Sequence, residues 1–315
     1  MSDLILQKKT DLRDKILQLK KQKDAVLLAH YYQTPEIQEI ADFVGDSLEL
    51  SKKAAESNAS IIVFAGVYFM AETAKILNPS KKVVVPDVNA GCSLADGCPP
   101  DEFKTFLKKY PNHVVVTYIN CSAAIKTMSD YVCTSSNAVK VIHSIPKDKK
   151  IVFAPDKNLG KYLIKVTGRE MVLWEGSCVV HEAFSLEKLI QLYQKNPDAV
   201  IIAHPESESQ ILKIAQYIGS TSGMINYVKK SSETKFIVAT ENGILYQMQN
   251  EVPYKIIIPA PSKEDNTCAC SECAFMKMNT LEKIYKCLLD ESPEVLLEQE
   301  IITKAQLPIH RMLQI

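Results

Sequence analysis

Short apolar runs alternate with amphipathic stretches along most of the chain. Runs at 25–29, 60–65, 82–86, 113–118, 131–134, 150–154, 171–174, 199–203, 217–219, 235–239 and 255–259 are rich in Val and Ile and read as strands. Stretches at 37–58, 100–109, 137–144, 185–195 and 208–214 carry apolar residues near a 3.6-residue period and predict helices between them. Residues 1–24, with Leu4, Leu12, Ile16 and Leu19 among many lysines, predict an exposed helix, and 281–315 a final helical segment. Nearly continuous Val/Ile runs separated by helices are the mark of parallel sheets covered on both faces, so the fold class is α/β.

The pattern repeats. Val26-Leu-Leu-Ala-His30-Tyr-Tyr32, Val115-Val-Thr-Tyr118-Ile-Asn120 and Val200-Ile-Ile-Ala-His204-Pro-Glu206 each run from apolar residues into polar, hydrogen-bonding ones. Beyond the later strands of each repeat comes a cysteine, Cys92, Cys178 or Cys273, at intervals of 86 and 95 residues. The expectation is three similar αβα units, 1–98, 99–183 and 184–280, followed by the segment 281–315. Ligands of parallel α/β sheets lie beyond the carboxyl ends of the strands. A pseudo-threefold arrangement of the units would aim those ends, and the three cysteines, at one central site.

Candidate chemistry follows from those ends. A period of two places His30 with Tyr32 and His204 with Glu206, two pairs that supply acid–base groups. Tyr118 and Asn120 repeat the spacing with hydrogen-bonding groups. Thr134-Ser135-Ser136 and the Gly219–Gly223 stretch Gly-Ser-Thr-Ser-Gly stand at predicted helix starts, where exposed N–H groups receive a phosphate or carboxylate, and Ser47, in Gly45-Asp46-Ser47, lies in a helical stretch; ordinary capping explains the same residues.

The chain has nine cysteines, an odd number, and the N-terminus lacks the apolar core of a secretion signal. A cytoplasmic, reducing setting is therefore expected, with thiols as metal ligands or buried groups rather than disulfides. Three thiolates suit a soft metal centre, and a [4Fe–4S] cluster on three cysteines keeps one iron open. Cys268-Ala-Cys270-Ser-Glu-Cys273 is equally half of a zinc site, although no second Cys/His pair follows at finger spacing. Cys121, Cys133 and Cys287 read as buried small hydrophobes. A net charge of zero and a pI near 7.0 give no support to a nucleic-acid or anionic-membrane partner, and no apolar stretch reaches membrane-spanning length. The phosphate-loop, dinucleotide-binding, nucleophile-elbow and HExxH motifs are absent.

Taken in order, Ala29-His-Tyr-Tyr-Gln33, Ala41-Asp-Phe-Val-Gly-Asp-Ser-Leu-Glu-Leu50, Pro86-Asp-Val-Asn-Ala-Gly-Cys-Ser-Leu-Ala-Asp96, Thr117-Tyr-Ile-Asn120 and Thr134-Ser-Ser-Asn-Ala138 resemble the quinolinate synthase family. So do Pro155-Asp-Lys-Asn-Leu159, Gly176-Ser-Cys-Val-Val-His181, His204-Pro-Glu206, Ser220-Thr-Ser-Gly-Met224 and Cys273-Ala-Phe-Met-Lys277. The resemblance covers nearly the whole chain. It implies three αβα domains around a central site, and the condensation of iminoaspartate with dihydroxyacetone phosphate to quinolinate in de novo NAD biosynthesis, with loss of phosphate and two waters. It implies cluster ligands at Cys92, Cys178 and Cys273, and substrate-site residues at His30, Tyr32, Ser47, Tyr118, Asn120, Ser135, His181, His204, Glu206 and Thr221. Of these, Glu206 is expected as acid/base, with Tyr32 assisting and His204 orienting. An upstream aspartate-oxidising enzyme is the implied source of the imine. Some relatives carry C-x-x-C-x-x-C before the last ligand; here the spacing is Cys268-x-Cys270-x-x-Cys273, which leaves a thiol–disulfide switch unsupported. A different iron–sulfur hydro-lyase, or a non-enzymatic iron–sulfur or zinc protein, are the alternative readings.

Overall fold

A computed structural model of the chain describes residues 2–263 and 271–315. Twelve strands are present among them. The first sheet contains β1 (Ala25–His30), β2 (Phe43–Gly45), β3 (Ile61–Ala65) and β4 (Lys82–Val84). The second contains β5 (His113–Tyr118), β6 (Tyr131–Cys133), β7 (Lys150–Ala154) and β8 (Met171–Leu173), and the third β9 (Val200–Ala203), β10 (Tyr217–Ile218), β11 (Lys235–Ala239) and β12 (Ile256–Pro259). Every pairing is parallel. All three sheets have the same order, second–first–third–fourth strand. The three αβα units expected from the repeats are therefore real.

The shared order decides where chemistry can sit. The chain leaves the first strand to one side for the second, then crosses to the other side for the third, so the gap between first and third strands is a topological switch point. Register makes the three gaps equivalent: Ala29 pairs with Ala65, Thr117 with Ala154, and Ala203 with Ala239. Just past these pairs, on the first strands' side, come His30, Tyr118 and His204.

The described residues fall into two compact units, Met1–Cys92 with Ala274–Gln306, and Ser93–Cys273 with Leu307–Ile315. In the former, one face of the first sheet is filled by Leu27, Ala29, Ile61 and Val63, packed with Ile16, Ile284, Cys287 and Leu288. The first helix, Ser2–Gln22, is thus not the exposed helix its lysines suggest. Ile16 is fully buried, Leu12 and Leu19 lie against the same core, and even Lys20 is buried, its Nζ donating to the Ile40 carbonyl at 2.7 Å. Burying Ile16 alone is worth about 2 kcal/mol. In the other unit, Phe103, Val115, Ile125 and Val152 form one core and Ile201, Ile211, Ile237 and Ala239 another.

One predicted helix is corrected. The stretch 37–58 is a helix Pro35–Ile40, the strand β2, and a helix Ser47–Glu56. The break is made by Asp46, whose carboxylate accepts from the amides of Leu48 and Glu49, both at 3.0 Å, while Glu49 accepts from the Asp46 amide at 2.9 Å. This reciprocal cap starts a new helix at Ser47 and keeps the preceding residues extended. Among the described residues no helix is long and apolar enough to cross a membrane.

Candidate active site

The repeated strand ends share local geometry. Beyond β1 the Tyr32 amide donates to His30 Nδ1 at 3.1 Å, and beyond β9 the Glu206 amide donates to His204 Nδ1 at 3.4 Å. The histidine in each case folds over its own chain two residues on and is buried. His30 and Tyr32 meet edge to face with centroids 4.4 Å apart, and Lys277 Nζ donates to the Tyr32 carbonyl at 2.7 Å. Ser47 begins the helix that Asp46 caps.

In the unit carrying the second and third sheets, five of the expected residues converge. Glu206, only 3% exposed, accepts a 2.5 Å hydrogen bond from the Tyr118 hydroxyl. Its other oxygen lies 3.1 Å from His181 Nδ1, and His204 Nδ1 is 3.6 Å from the first. His204 Nε2 is 3.1 Å from the Ser135 hydroxyl. The imidazoles of His181 and His204 lie 4.8 Å apart. Burial alone would raise the Glu206 carboxyl, but the charges of His181 and His204, with hydrogen bonds from His181 and Tyr118, outweigh it and hold Glu206 down at about 2. It is thus an ionised hydrogen-bond acceptor at neutral pH. Asn120 Oδ1 is buried with no hydrogen-bond partner among the described residues. Thr221, also buried, is the first residue of the helix Thr221–Lys230, which Ser220 caps by accepting from the Gly223 amide at 3.1 Å. No hydrogen bond ties Asn120 or Thr221 to Glu206.

The three cysteines expected as ligands hang from one repeated anchor. In each unit the third residue beyond the third strand donates its amide to the carbonyl two residues before the cysteine. Tyr68 donates to Ala90, before Cys92, at 2.7 Å; Lys157 to Gly176, before Cys178, at 2.8 Å; and Asn242 to Ser271, before Cys273, at 3.0 Å. Gly176 has to be glycine there, since a Cβ would come within 2.5 Å of the Pro155 carbonyl oxygen. Cys92, Cys178 and Cys273 are partly exposed, whereas Cys98, Cys121, Cys133 and Cys287 are buried. Burial drives the thiols of Cys98 and Cys133 well up, and that of Cys287 to about 12. Among the described residues the donor set fits a cluster held by three thiolates: three partly exposed cysteines stand at matching positions, while Cys98, Cys121, Cys133 and Cys287 are buried. Cys268 and Cys270 lie outside the described residues. Cys178 also has metal-binding neighbours, because its sulfur and the donor atoms of His181 and Glu206 lie within 4.8 Å of one another, and His181 Nδ1 is 3.2 Å from the sulfur.

Sequence reasoning missed Thr240 and Asp156. Thr240 Oγ1 lies 3.0 Å from His181 Nε2 and holds the far side of that ring. Asp156, fully buried, caps the helix Lys157–Thr167 through the Leu159 amide at 2.7 Å. Burial first, then the charge of Glu206, pushes Asp156 well above the usual carboxylate range. Both follow a third strand closely, and aligning the three third-strand exits rather than only the first would have brought them out.

Residues 14–314 match the family model described as quinolinate synthetase A protein. The chain is 57% identical over 304 residues to the quinolinate synthase of Microcystis aeruginosa, covering 96% of this chain and 95% of the relative. It is 59% identical over 304 residues to that of Gloeothece citriformis, covering 96% and 94%. The quinolinate synthase of a Nostoc species is 57% identical over 304 residues, covering 96% and 93%. With its three sheets, repeated cysteine anchors and this breadth of identity, the chain belongs to the quinolinate synthetase A family.

Proposed function

We propose that the chain condenses iminoaspartate with dihydroxyacetone phosphate to give quinolinate, phosphate and two waters, and so serves NAD biosynthesis. The observation that carries this reading is the repeated anchor, which presents Cys92, Cys178 and Cys273 from matching positions of three units. These three cysteines would hold a [4Fe–4S] cluster, and the units 1–98, 99–183 and 184–280 would surround one central site. When bound, such a cluster supplies an open iron that acts as a Lewis acid toward a substrate oxygen.

The side chains divide the remaining work. Glu206, ionised and in hydrogen-bond contact with Tyr118, is placed to remove a proton from carbon and to hand it on during loss of phosphate and water. His204, held by Ser135, keeps Glu206 charged and oriented. His181 does the same from the other side. Ser47, Ser135 and Thr221, at or near helix starts, would bind phosphate or carboxylate through hydroxyl and amide donors. Tyr118 and Asn120 would orient the condensed chain, and His30 and Tyr32 would contact substrate, with Tyr32 acting at the triose carbons. The imine is unstable in water, so a reaction that oxidises aspartate must supply it.

Single replacement of Cys92, Cys178 and Cys273 by Ala tests the ligand set. Each variant should lose iron, sulfide and quinolinate formation together after anaerobic reconstitution. A Cys178→Ala protein with an intact cubane spectrum and full turnover would remove the basis of the reading. A second reading rests on the grouping of Cys178, His181 and Glu206, whose mixed donors suit zinc. A colourless protein with one tightly held zinc per chain would favour it.

A further inference from the structure

Thr240 and Glu241 follow β11, and neither has a place in the chemistry above. Both are buried, Thr240 at 1% exposure and Glu241 at 0%. Their side chains reach two different cysteine segments. Thr240 Oγ1 is 3.0 Å from His181 Nε2, and the opposite nitrogen of that ring is 3.2 Å from Cys178 Sγ. Glu241 divides its carboxylate: Oε2 accepts from the Gly243 amide at 2.6 Å, and Oε1 accepts from the Cys273 amide at 3.1 Å.

A carboxylate without solvent contact is costly to bury unless its oxygens are satisfied. Holding the first amide of the helix Gly243–Glu251 needs one oxygen only. The second is committed to the backbone of Cys273, in addition to the Asn242–Ser271 bond that every unit has in some form. Asp156 occupies the matching place in the second sheet, two residues past Ala154 as Glu241 is two past Ala239, yet no bond joins its side chain to the Cys178 segment. In the first sheet the matching residue is Val67. The side-chain clamp on a cysteine amide is thus found at one of three equivalent places, on the cysteine that follows the run Cys268-Ala-Cys270.

We propose that Thr240–Glu241 is a positioning dipeptide that sets Cys178 and Cys273 relative to each other: Thr240 acts through His181 on the Cys178 thiol, and Glu241 acts directly on the Cys273 backbone. The proposal rests on the reading of Cys178 and Cys273 as cluster ligands, but it makes its own statement about thiol placement, which can be measured without a cluster.

The experiment uses the full chain, purified anaerobically before reconstitution, with the iodoacetamide alkylation rate of each cysteine followed by peptide mass spectrometry. Glu241→Ala should speed Cys273 about tenfold, the factor expected for loss of a hydrogen bond to a carboxylate, with Cys178 within about twofold of wild type. Thr240→Val should slow Cys178 about threefold, since its imidazole neighbour is no longer held, and Thr240→Ser should restore it. Buried Cys98 and Cys133 should stay protected throughout, reporting an intact fold. Where Glu241→Ala exposes those thiols, Glu241→Gln, which keeps the volume and one acceptor oxygen, is read instead and should speed Cys273 at least threefold. Cys273 unchanged in a folded Glu241 variant, or Thr240→Val and Thr240→Ser behaving alike, overturns the proposal. After reconstitution, the reduced-state EPR spectrum of the Glu241 variant should broaden relative to wild type, and an identical spectrum counts against the proposal. Loss of the ligand reading would show separately, as a wild-type cluster in Cys178→Ala or Cys273→Ala.

Discussion

Replacing Glu206 by Gln keeps the volume of the side chain, its contact with Tyr118 and its burial, and removes only the charge and the ability to take a proton. In the native chain the carboxyl is brought from its ordinary 4.5 to about 2 by the imidazoles of His181 and His204 and by the Tyr118 hydroxyl, against the opposing effect of burial. A group whose folded value is depressed contributes stability above its unfolded value and loses it as pH falls toward the folded one. The window is therefore pH 4.5 down to 2. Between pH 6 and pH 3 the native protein should lose roughly 2 kcal/mol from this site that Glu206→Gln does not lose. Urea unfolding of both proteins across that range, before reconstitution, measures the difference directly. After reconstitution, loss of a general base should lower quinolinate formation by about 10²- to 10⁴-fold with iron content unchanged. A variant with turnover within threefold of wild type, or with the same acid sensitivity as wild type, would refute this role for Glu206.

Other expectations are more local. Tyr118→Phe removes a 2.5 Å hydrogen bond to a buried carboxylate and should destabilise the protein by about 1.5–3 kcal/mol in urea titrations while slowing turnover. Gly176→Ala drives a methyl group into the Pro155 carbonyl; it should cost about 1–3 kcal/mol and reduce the iron taken up on reconstitution, with unfolding midpoints and iron analysis as the readouts. Asp46→Ala breaks the reciprocal cap that starts the helix at Ser47, so a loss of about 1 kcal/mol is expected by thermal melting. Cys133→Ala, far from the accessible thiols in chemical character, should keep a full complement of iron and sulfide.

Much of this architecture was open to reading along the chain, because strands buried on both faces leave unbroken Val/Ile runs that polar helices cannot imitate. β5, β7 and β11 have the expected limits, and most other strands differ by a residue or two at their ends. β2 was hidden because Ile37, Ile40, Val44 and Leu48 continue a helical spacing across it; only the Asp46–Glu49 cap, a side-chain device, interrupts the helix. The first helix looked solvated because its charged residues outnumber its apolar ones, yet Ile16 alone fills a place in the core. In the site, Tyr118, Ser135, His204 and Glu206 could be found because each sits near a strand or helix terminus marked by the repeat, whereas His181 is marked only by the family resemblance. Thr240 and Glu241 carry no chemical signature of their own: aligning the third-strand exits marks their place, but only the fold puts one beside His181 and the other beside Cys273. The cysteine anchors were equally invisible, being bonds between backbone atoms.

The most direct test of the central claim is an isotope balance on anaerobically reconstituted protein. Supplied with iminoaspartate and ¹³C-labelled dihydroxyacetone phosphate, it should release quinolinate carrying three labelled carbons and one phosphate for each quinolinate. A protein that holds its iron–sulfur cluster but yields no labelled quinolinate from that mixture would contradict the account.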